Sequence, residues 1–446
     1  MNNSTKIITR FPPSPTGFFH IGSARTALFN YLFATQNKGE MIVRIEDTDQ
    51  SRSKTEYEKD IFESLVWLGF KFDEKKIHKQ SEKKEIYKKY LKKMIAEGRA
   101  FEREISQEGS GKVIRFKNPN KEIIFDDIIR GEIKFDTSEL GDFIIAKSLE
   151  EPLYHLAVVV DDAESGVTHI IRGEDGISNT PRQILIQEAL CFPRPVYAHL
   201  PLILVSDKSK MSKRHGAVSL NEYKARGYLP EALLNYLALI GWNPGTEQEI
   251  FSLDELVKKF NLGKVQKGGA IFNLEKLNWI NREHLKLMSD ENFGKRVLEF
   301  LPDEIKKMVV ENKEMLIKIL PVLRERIEKF GDVKTMAETG ELAYYFSQPE
   351  YAGEKLLWKD ETDLINVKKH LEKVIKLLDG VQEWTAENIK LALWDYATEQ
   401  GRGVVLWPMR YALSGKEKSP DPFVLAEIFG QQETLRRLQY AIGKIN

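Results

Sequence analysis

A single cysteine, Cys191, stands in a chain of 446 residues. That excludes a disulfide within the chain and fits a reducing compartment. No uninterrupted apolar run reaches the ~20 residues that span a bilayer. The opening MNNSTKIITRF has neither the apolar core nor the cleavage pattern of a secretory leader. The expectation is a soluble, cytoplasmic protein. Net charge is missing too, because 67 basic residues balance 67 acidic ones. Nothing global therefore advertises a polyanionic partner, and any such contact must come from a local patch. There is no internal repeat, no low-complexity tract and no pair of histidines at metal-ligand spacing.

What is present is apolar content of 42%, enough for real cores. The length suggests about three domains at ~150 residues each. The N-terminal half alternates strand and helix patterns: strand Lys6–Phe11, helix Ser23–Gln36, strand Met41–Ile45 and helix Lys54–Leu68. A helical hairpin pattern and β-rich segments fill roughly 80–160. The alternation then resumes with strand Val167–Arg172, helix Ser178–Leu190 and strand Leu200–Val205. This order predicts an α/β fold: a Rossmann-like parallel-sheet nucleotide-binding domain split by an insertion, followed by an all-α C-terminal half. The helical half rests on apolar stripes: Leu364, Val367, Leu371, Val374 and Leu378; Ile389, Leu393 and Tyr396 after a Thr385 N-cap; and Leu323, Ile327 and Phe330. Residues 75–99 are rich in lysine, which reads as a solvated helix face or as an RNA backbone contact.

Two strings carry chemistry. Pro12-Pro13-Ser14-Pro15-Thr16-Gly17-Phe18-Phe19-His20-Ile21-Gly22 lies where a strand turns into a helix. A helix N-terminus offers free N–H groups to phosphate, glycines permit close approach, and His20 can donate to a phosphate oxygen. Lys210-Met211-Ser212-Lys213-Arg214 follows an apolar strand, where mobile ammonium groups suit charge that develops on a departing pyrophosphate. Each string alone reads equally as a structural turn or a solvated loop.

Together, in this order, they resemble the ATP signatures of class I aminoacyl-tRNA synthetases. The likeness sharpens in Arg10–Gly17, His20-Ile21-Gly22, Ala24–Asn30, Arg44–Asp49, Val159–Asp162, Ile171–Asp175, Asn179–Ile184 and Gly227–Ala232, and extends into Lys276–Asn281 and Thr434–Leu438. These stretches resemble bacterial glutamyl-tRNA synthetases over essentially the whole chain. The resemblance implies activation of L-glutamate by ATP and transfer to the terminal ribose of tRNA(Glu). It implies Arg10, Ser14, Glu46, Tyr154 and Arg172 around glutamate, with two arginines and one acid complementing two carboxylates and one ammonium. Arg10 is assigned to the side-chain carboxylate and Arg172 to the α-carboxylate, and the opposite pairing stays open. His20, Lys210 and Lys213 are the implied catalytic groups. ATP contacts are expected from Pro12, Gly17, His20, Gly22, Glu174, Lys210, Met211, Ser212 and Lys213, with Mg2+ accompanying the nucleotide.

The implied organisation is a catalytic domain at 1–80 and 160–215, an acceptor-end-binding insertion at 81–159, a stem-contact helical domain at 216–290 and an all-helical anticodon-binding region at 291–446, in a monomer. Many relatives carry zinc in the insertion, but Ala100–Ile105 has no cysteine, so no zinc is expected. Gly176 stands where relatives often place histidine or tryptophan, which points to a looser pocket. Alternatives are an enzyme that also glutamylates tRNA(Gln), a glutamine-specific synthetase, a truncated homologue that modifies a tRNA base, a cofactor nucleotidyltransferase, and a catalytically inactive tRNA-binding protein.

Overall fold

A computed structural model describes residues 6–104, 112–205, 207–209, 219–359 and 361–445. Ile8–Phe11 (β1) leads into helix Ile21–Gln36 (α1) and then Glu40–Ile45 (β2), which pairs parallel to β1 with Ile8 opposite Glu40. α1 buries Ala24, Ala27, Leu28, Phe29 and Leu32, so it is a core helix and not an amphipathic surface helix. Helix Thr55–Trp67 (α2) returns the chain to the short strand His78–Lys79 (β3), parallel to β2.

Helix Lys84–Ala96 (α3) follows, burying Tyr87, Leu91 and Met94 on one face. The expected helical hairpin is a single helix here. Gly98 takes φ 67° and turns the chain into strand Ala100–Glu104 (β4). Then come Lys112–Phe116 (β5), Glu122–Asp127 (β6), Gly131–Asp136 (β7), Phe143–Ser148 (β8) and Glu151–Pro152 (β9). β4, β5, β8 and β9 make one antiparallel sheet. The β6–β7 hairpin instead joins the sheet of His169–Gly173 (β10) and Val196–Leu200 (β11), in the order β10-β11-β6-β7. Before β10 the chain forms helix Tyr154–Glu164 (α4), so the β-rich stretch ends earlier than its valines suggest; Val158, Val159 and Val160 are buried on that helix. A 3-10 turn, Glu174–Asn179, precedes helix Thr180–Leu190 (α5).

The predicted strand Leu200–Val205 is broken. Pro201 has no N–H to give a ladder, and Leu202 N donates to Glu174 Oε1 at 2.8 Å. The chain then pairs elsewhere: Ile203–Leu204 (β12) lies parallel to Ala270–Ile271 (β13), after helices Leu220–Ala225 (α6), Pro230–Leu239 (α7) and Leu253–Lys259 (α8). Helix Leu274–Leu287 (α9) follows, and the chain divides into two compact units, up to His284 and from Leu285.

The second unit holds helices Asp290–Phe300 (α10), Asp303–Glu311 (α11), Lys313–Arg326 (α12), Gly331–Glu338 (α13), Leu364–Leu378 (α14), Ala386–Gln400 (α15), Arg402–Ser414 (α16) and Pro422–Gly443 (α17). Val367, Leu371, Val374 and Leu378 are the buried face of α14, and Thr385 caps α15 by accepting from Asn388 N at 3.3 Å. Leu323, Ile327 and Phe330 are all buried but do not share a helix. α12 stops at Arg326, and the Asp332 carboxylate accepts from Glu328 N and Lys329 N at 2.8 and 3.1 Å in the turn between helices. Trp407 Nε1 donates to Lys355 O at 3.1 Å and Arg410 Nε to Ser419 Oγ at 3.0 Å, both inside this unit. No described helix is long and apolar enough to cross a membrane.

Candidate active site

A cavity of about 390 Å³ opens where β1 and β10 end and α1 begins. Strand ends bring Arg10 and Arg172 there; the turn into α1 brings Pro12, Ser14, His20 and Gly22; the end of β2 brings Glu46; and the start of α4 brings Tyr154. Those eight sequence-predicted residues are gathered in one wall. Gly17 is not in the lining. Its loop turns toward α2, with Pro15 O accepting from Lys54 N at 3.0 Å. Glu174 is also outside the lining. Its carboxylate binds Leu202 N and the Arg130 guanidinium, so it fixes the 201–203 segment that forms part of the wall. Lys210, Met211, Ser212 and Lys213 lie outside the described residues.

Arg10 and Arg44 are held by buried acids, and Arg172 by a histidine and a threonine. Arg10, 1% exposed, donates from Nε to Asp162 Oδ1 at 3.3 Å. Arg44, wholly buried, donates to Asp162 Oδ1 at 2.6 Å and to Glu46 Oε1 at 2.9 Å. Burial alone would raise the Asp162 carboxyl, but Arg44 and Arg10 outweigh it and hold it below the ordinary carboxylate range. Glu46 goes the other way: burial raises its carboxyl above the usual range against the pull of Arg44 and Arg10. Arg172 donates from Nε to His199 Nε2 at 3.1 Å and from Nη2 to Thr180 Oγ1 at 2.8 Å. After these bonds, Arg10 Nη1 and Arg172 Nη1 are both buried with no hydrogen-bond partner. A buried donor without an acceptor costs free energy that an anionic ligand would recover.

His20 caps α1. Its Nδ1 accepts from Ser23 N at 3.2 Å, so in the neutral ring the proton sits on Nε2, which lies 3.2 Å from Ser23 Oγ. Gly22 makes this possible, since a Cβ there would lie 3.1 Å from the ring. Ser14 Oγ donates to Glu46 O at 2.9 Å and Glu46 N to Pro13 O at 3.0 Å, which ties the loop between β1 and α1 to the end of β2.

Residue-by-residue reading missed Arg25. It is buried on α1, donates from Nη2 to Pro201 O, and keeps Nε and Nη1 unpaired beside the cavity. Burial outweighs the pull of Glu174 and lowers its guanidinium to about 10. The signal was present as a charge among the apolar residues of a core helix. The lysine-rich stretch is less bare than its composition suggests: Lys76 pairs with Glu40, Lys79 with Glu58, Lys83 with Asp161 and Lys88 with Glu150.

Residues 6–109 and 102–279 match the family described as tRNA synthetases class I (E and Q), catalytic domain. Residues 292–442 match the family described as anticodon binding domain. The glutamate–tRNA ligase of Carboxydothermus hydrogenoformans is 41% identical, over 96% of this chain and 98% of that one. That of Aquifex aeolicus is 38% identical, over 99% and 100%. A crystal structure of a glutamate tRNA ligase from Elizabethkingia meningosepticum, in complex with its amino acid, superposes with a TM-score of 0.82 at 31% identity, over 99% of this chain and 100% of that one.

Proposed function

The chain belongs to the glutamate–tRNA ligase family of class I aminoacyl-tRNA synthetases, and from that premise we propose that it activates L-glutamate with ATP and transfers it to the terminal ribose of tRNA(Glu). The observation that carries this reading is the pair of buried, partnerless guanidinium nitrogens, Arg10 Nη1 and Arg172 Nη1, on residues lining the same cavity as Glu46. Two cationic donors and one acid complement a dicarboxylic amino acid with its ammonium.

Glutamate sits with its side-chain carboxylate on Arg10, its α-carboxylate on Arg172 and its ammonium toward Glu46, with Ser14 and Tyr154 closing the pocket. The bound ammonium favours the ionised Glu46 that burial otherwise disfavours. An α-carboxylate oxygen attacks the α-phosphorus of ATP, and the bond to the β-phosphate oxygen breaks to release pyrophosphate. His20 Nε2–H, the N-terminus of α1, Lys210 and Lys213 stabilise the charge that moves onto the departing group. The terminal ribose hydroxyl of the tRNA then attacks the adenylate carbonyl carbon, losing its proton as AMP leaves. No covalent enzyme intermediate is involved, so the protein contributes positioning and electrostatics.

Mg2+ is taken to accompany ATP, held largely by the phosphates and water, as suits a small cation that dehydrates reluctantly. We assign residues 1–80 and 160–215 to catalysis, 81–159 to the acceptor end, 216–290 to the stem and 291–446 to the anticodon. Splayed anticodon bases read by side chains are the usual mode for RNA loops. The test is ATP–pyrophosphate exchange with tRNA(Glu) present, driven in turn by glutamate, glutamine and aspartate. Exchange with glutamate alone is expected; exchange driven by glutamine and not by glutamate overturns the reading.

A further inference from the structure

Behind Arg172 stands a histidine, and behind the histidine an aspartate. Arg172 Nε donates to His199 Nε2 at 3.1 Å, and His199 Nδ1 lies 2.6 Å from Asp127 Oδ2. His199 is wholly buried and Asp127 is 3% exposed. The Asp127 carboxylate also accepts from the backbone N of His199 at 3.0 Å and from Ile129 N and Arg130 N, each at 2.9 Å. Burial opposes its ionisation, but these donors and His199 outweigh that and keep its carboxyl below the ordinary range. An ionised carboxylate only accepts, so the shared proton belongs to Nδ1. Nε2 is then a lone pair, as Arg172 requires, because a guanidinium has only N–H to offer.

The rest of the surroundings agree. The rings of Phe125 and Tyr197 lie beside the imidazole, Tyr197 stacked at 6.2 Å. Burial, with the charges of Arg172 and then Arg10, lowers the imidazole's proton affinity against the pull of Asp127 and keeps the ring neutral. Thr180 Oγ1 sits 3.2 Å from Nε2 and accepts from Arg172 Nη2 at 2.8 Å, while Gly176 O accepts from Nη2 at 3.2 Å. Every rear-facing donor of Arg172 is thus committed, and Nη1 is left without a partner.

We propose that Asp127 and His199 are positioning residues for amino-acid recognition: they lock one imidazole tautomer, which fixes one guanidinium orientation and presents Arg172 Nη1 to a carboxylate of glutamate. This rests on the amino-acid site proposed above. Asp127 ends β6, opposite Tyr197 of β11. The inserted segment 81–159 therefore supports the amino-acid pocket through one strand without lining it at that point.

The test is aminoacylation of tRNA(Glu) by the full chain, as wild type, D127N, H199N and H199Q, with KM measured separately for glutamate and for ATP and each fold checked by thermal melting. H199N keeps a donor for Asp127 but removes the acceptor for Arg172. H199Q puts an amide oxygen near the position of Nε2. D127N offers Nδ1 a donor and so permits the other tautomer. H199N and D127N are expected to raise KM for glutamate roughly tenfold or more, the scale of losing a hydrogen-bond partner that orients a ligand group, with KM for ATP unchanged, and H199Q to recover much of the loss. Wild-type KM for glutamate in a folded H199N or D127N, an equal rise for both substrates, or H199Q no better than H199N overturns the relay. Should H199N not fold, D127N decides by the same split. A wild type that charges no glutamate overturns the functional reading, and the relay with it; a charging wild type with indifferent variants overturns the relay alone.

Discussion

Arg172 lies across Gly176, so closely that a Cβ added to the glycine would sit 2.5 Å from Arg172 Nε and 2.8 Å from Cδ. The sequence departure at Gly176, expected to loosen the pocket, is taken up by the arginine itself. Gly176 does not adopt a left-handed backbone, so alanine is strained only by this contact. G176A is expected to displace the guanidinium and lower kcat/KM for glutamate roughly ten- to hundredfold, the scale of a misplacement of about 1 Å, with KM for ATP and the melting temperature near wild type. Unchanged glutamate kinetics would show that Arg172 does not need this space.

Asp162 serves two arginines at once, at 3.3 Å from Arg10 Nε and 2.6 Å from Arg44 Nη1. D162N leaves two buried guanidinium groups short of their counter-charge. We expect a loss of about 3 kcal/mol in denaturant unfolding of the N-terminal unit and a raised KM for glutamate through Arg10. Stability within about 0.5 kcal/mol of wild type would mean that Asp161 and Glu46 suffice.

Acid should destabilise the fold through histidines. Burial, helped by Arg182 and Arg172, lowers the His155 imidazole to about 4; burial also lowers His169 and His284. Between that value and the ordinary ~6.5 the unfolded chain binds protons that the folded one does not, so stability rises with pH. The contribution is complete above the ordinary value and is lost as pH falls toward 4. Calorimetry from about pH 7 to about pH 5 should show a falling melting temperature, with a shallower fall in H155Q. An identical slope in H155Q would remove His155 from the account.

Lys213 stands outside the described residues, and its role rests on its motif. Lys213→Ala is expected to slow adenylate formation on the order of 100-fold, the scale of losing one transition-state donor. Pyrophosphate exchange at a near-wild-type rate would contradict the assignment.

What could be read from sequence was local. Arg10, Ser14, His20, Glu46 and Arg172 sit at strand ends and helix starts, where short strings fix both position and neighbours. What could not be read depends on partners far along the chain. Glu174 faces Arg130, 44 residues away, and Leu202, 28 away, so its carboxylate is engaged in a way no motif reveals. His199 looks like one more strand residue until Asp127, 72 positions earlier, arrives beside it. Pro201 ended a strand that apolar content alone extended to Val205, and Asp332 separated Ile327 and Phe330 from the helix their spacing suggested.

The measurement that tests the account most directly is charging of separate tRNA(Glu) and tRNA(Gln) transcripts with labelled glutamate, with labelled glutamine as the parallel arm. Glutamate is expected on tRNA(Glu), and glutamine on neither transcript. Glutamate on both would show an enzyme that does not discriminate and needs an amidating partner downstream. Folded protein that charges neither transcript, or that loads glutamine, would contradict the central claim.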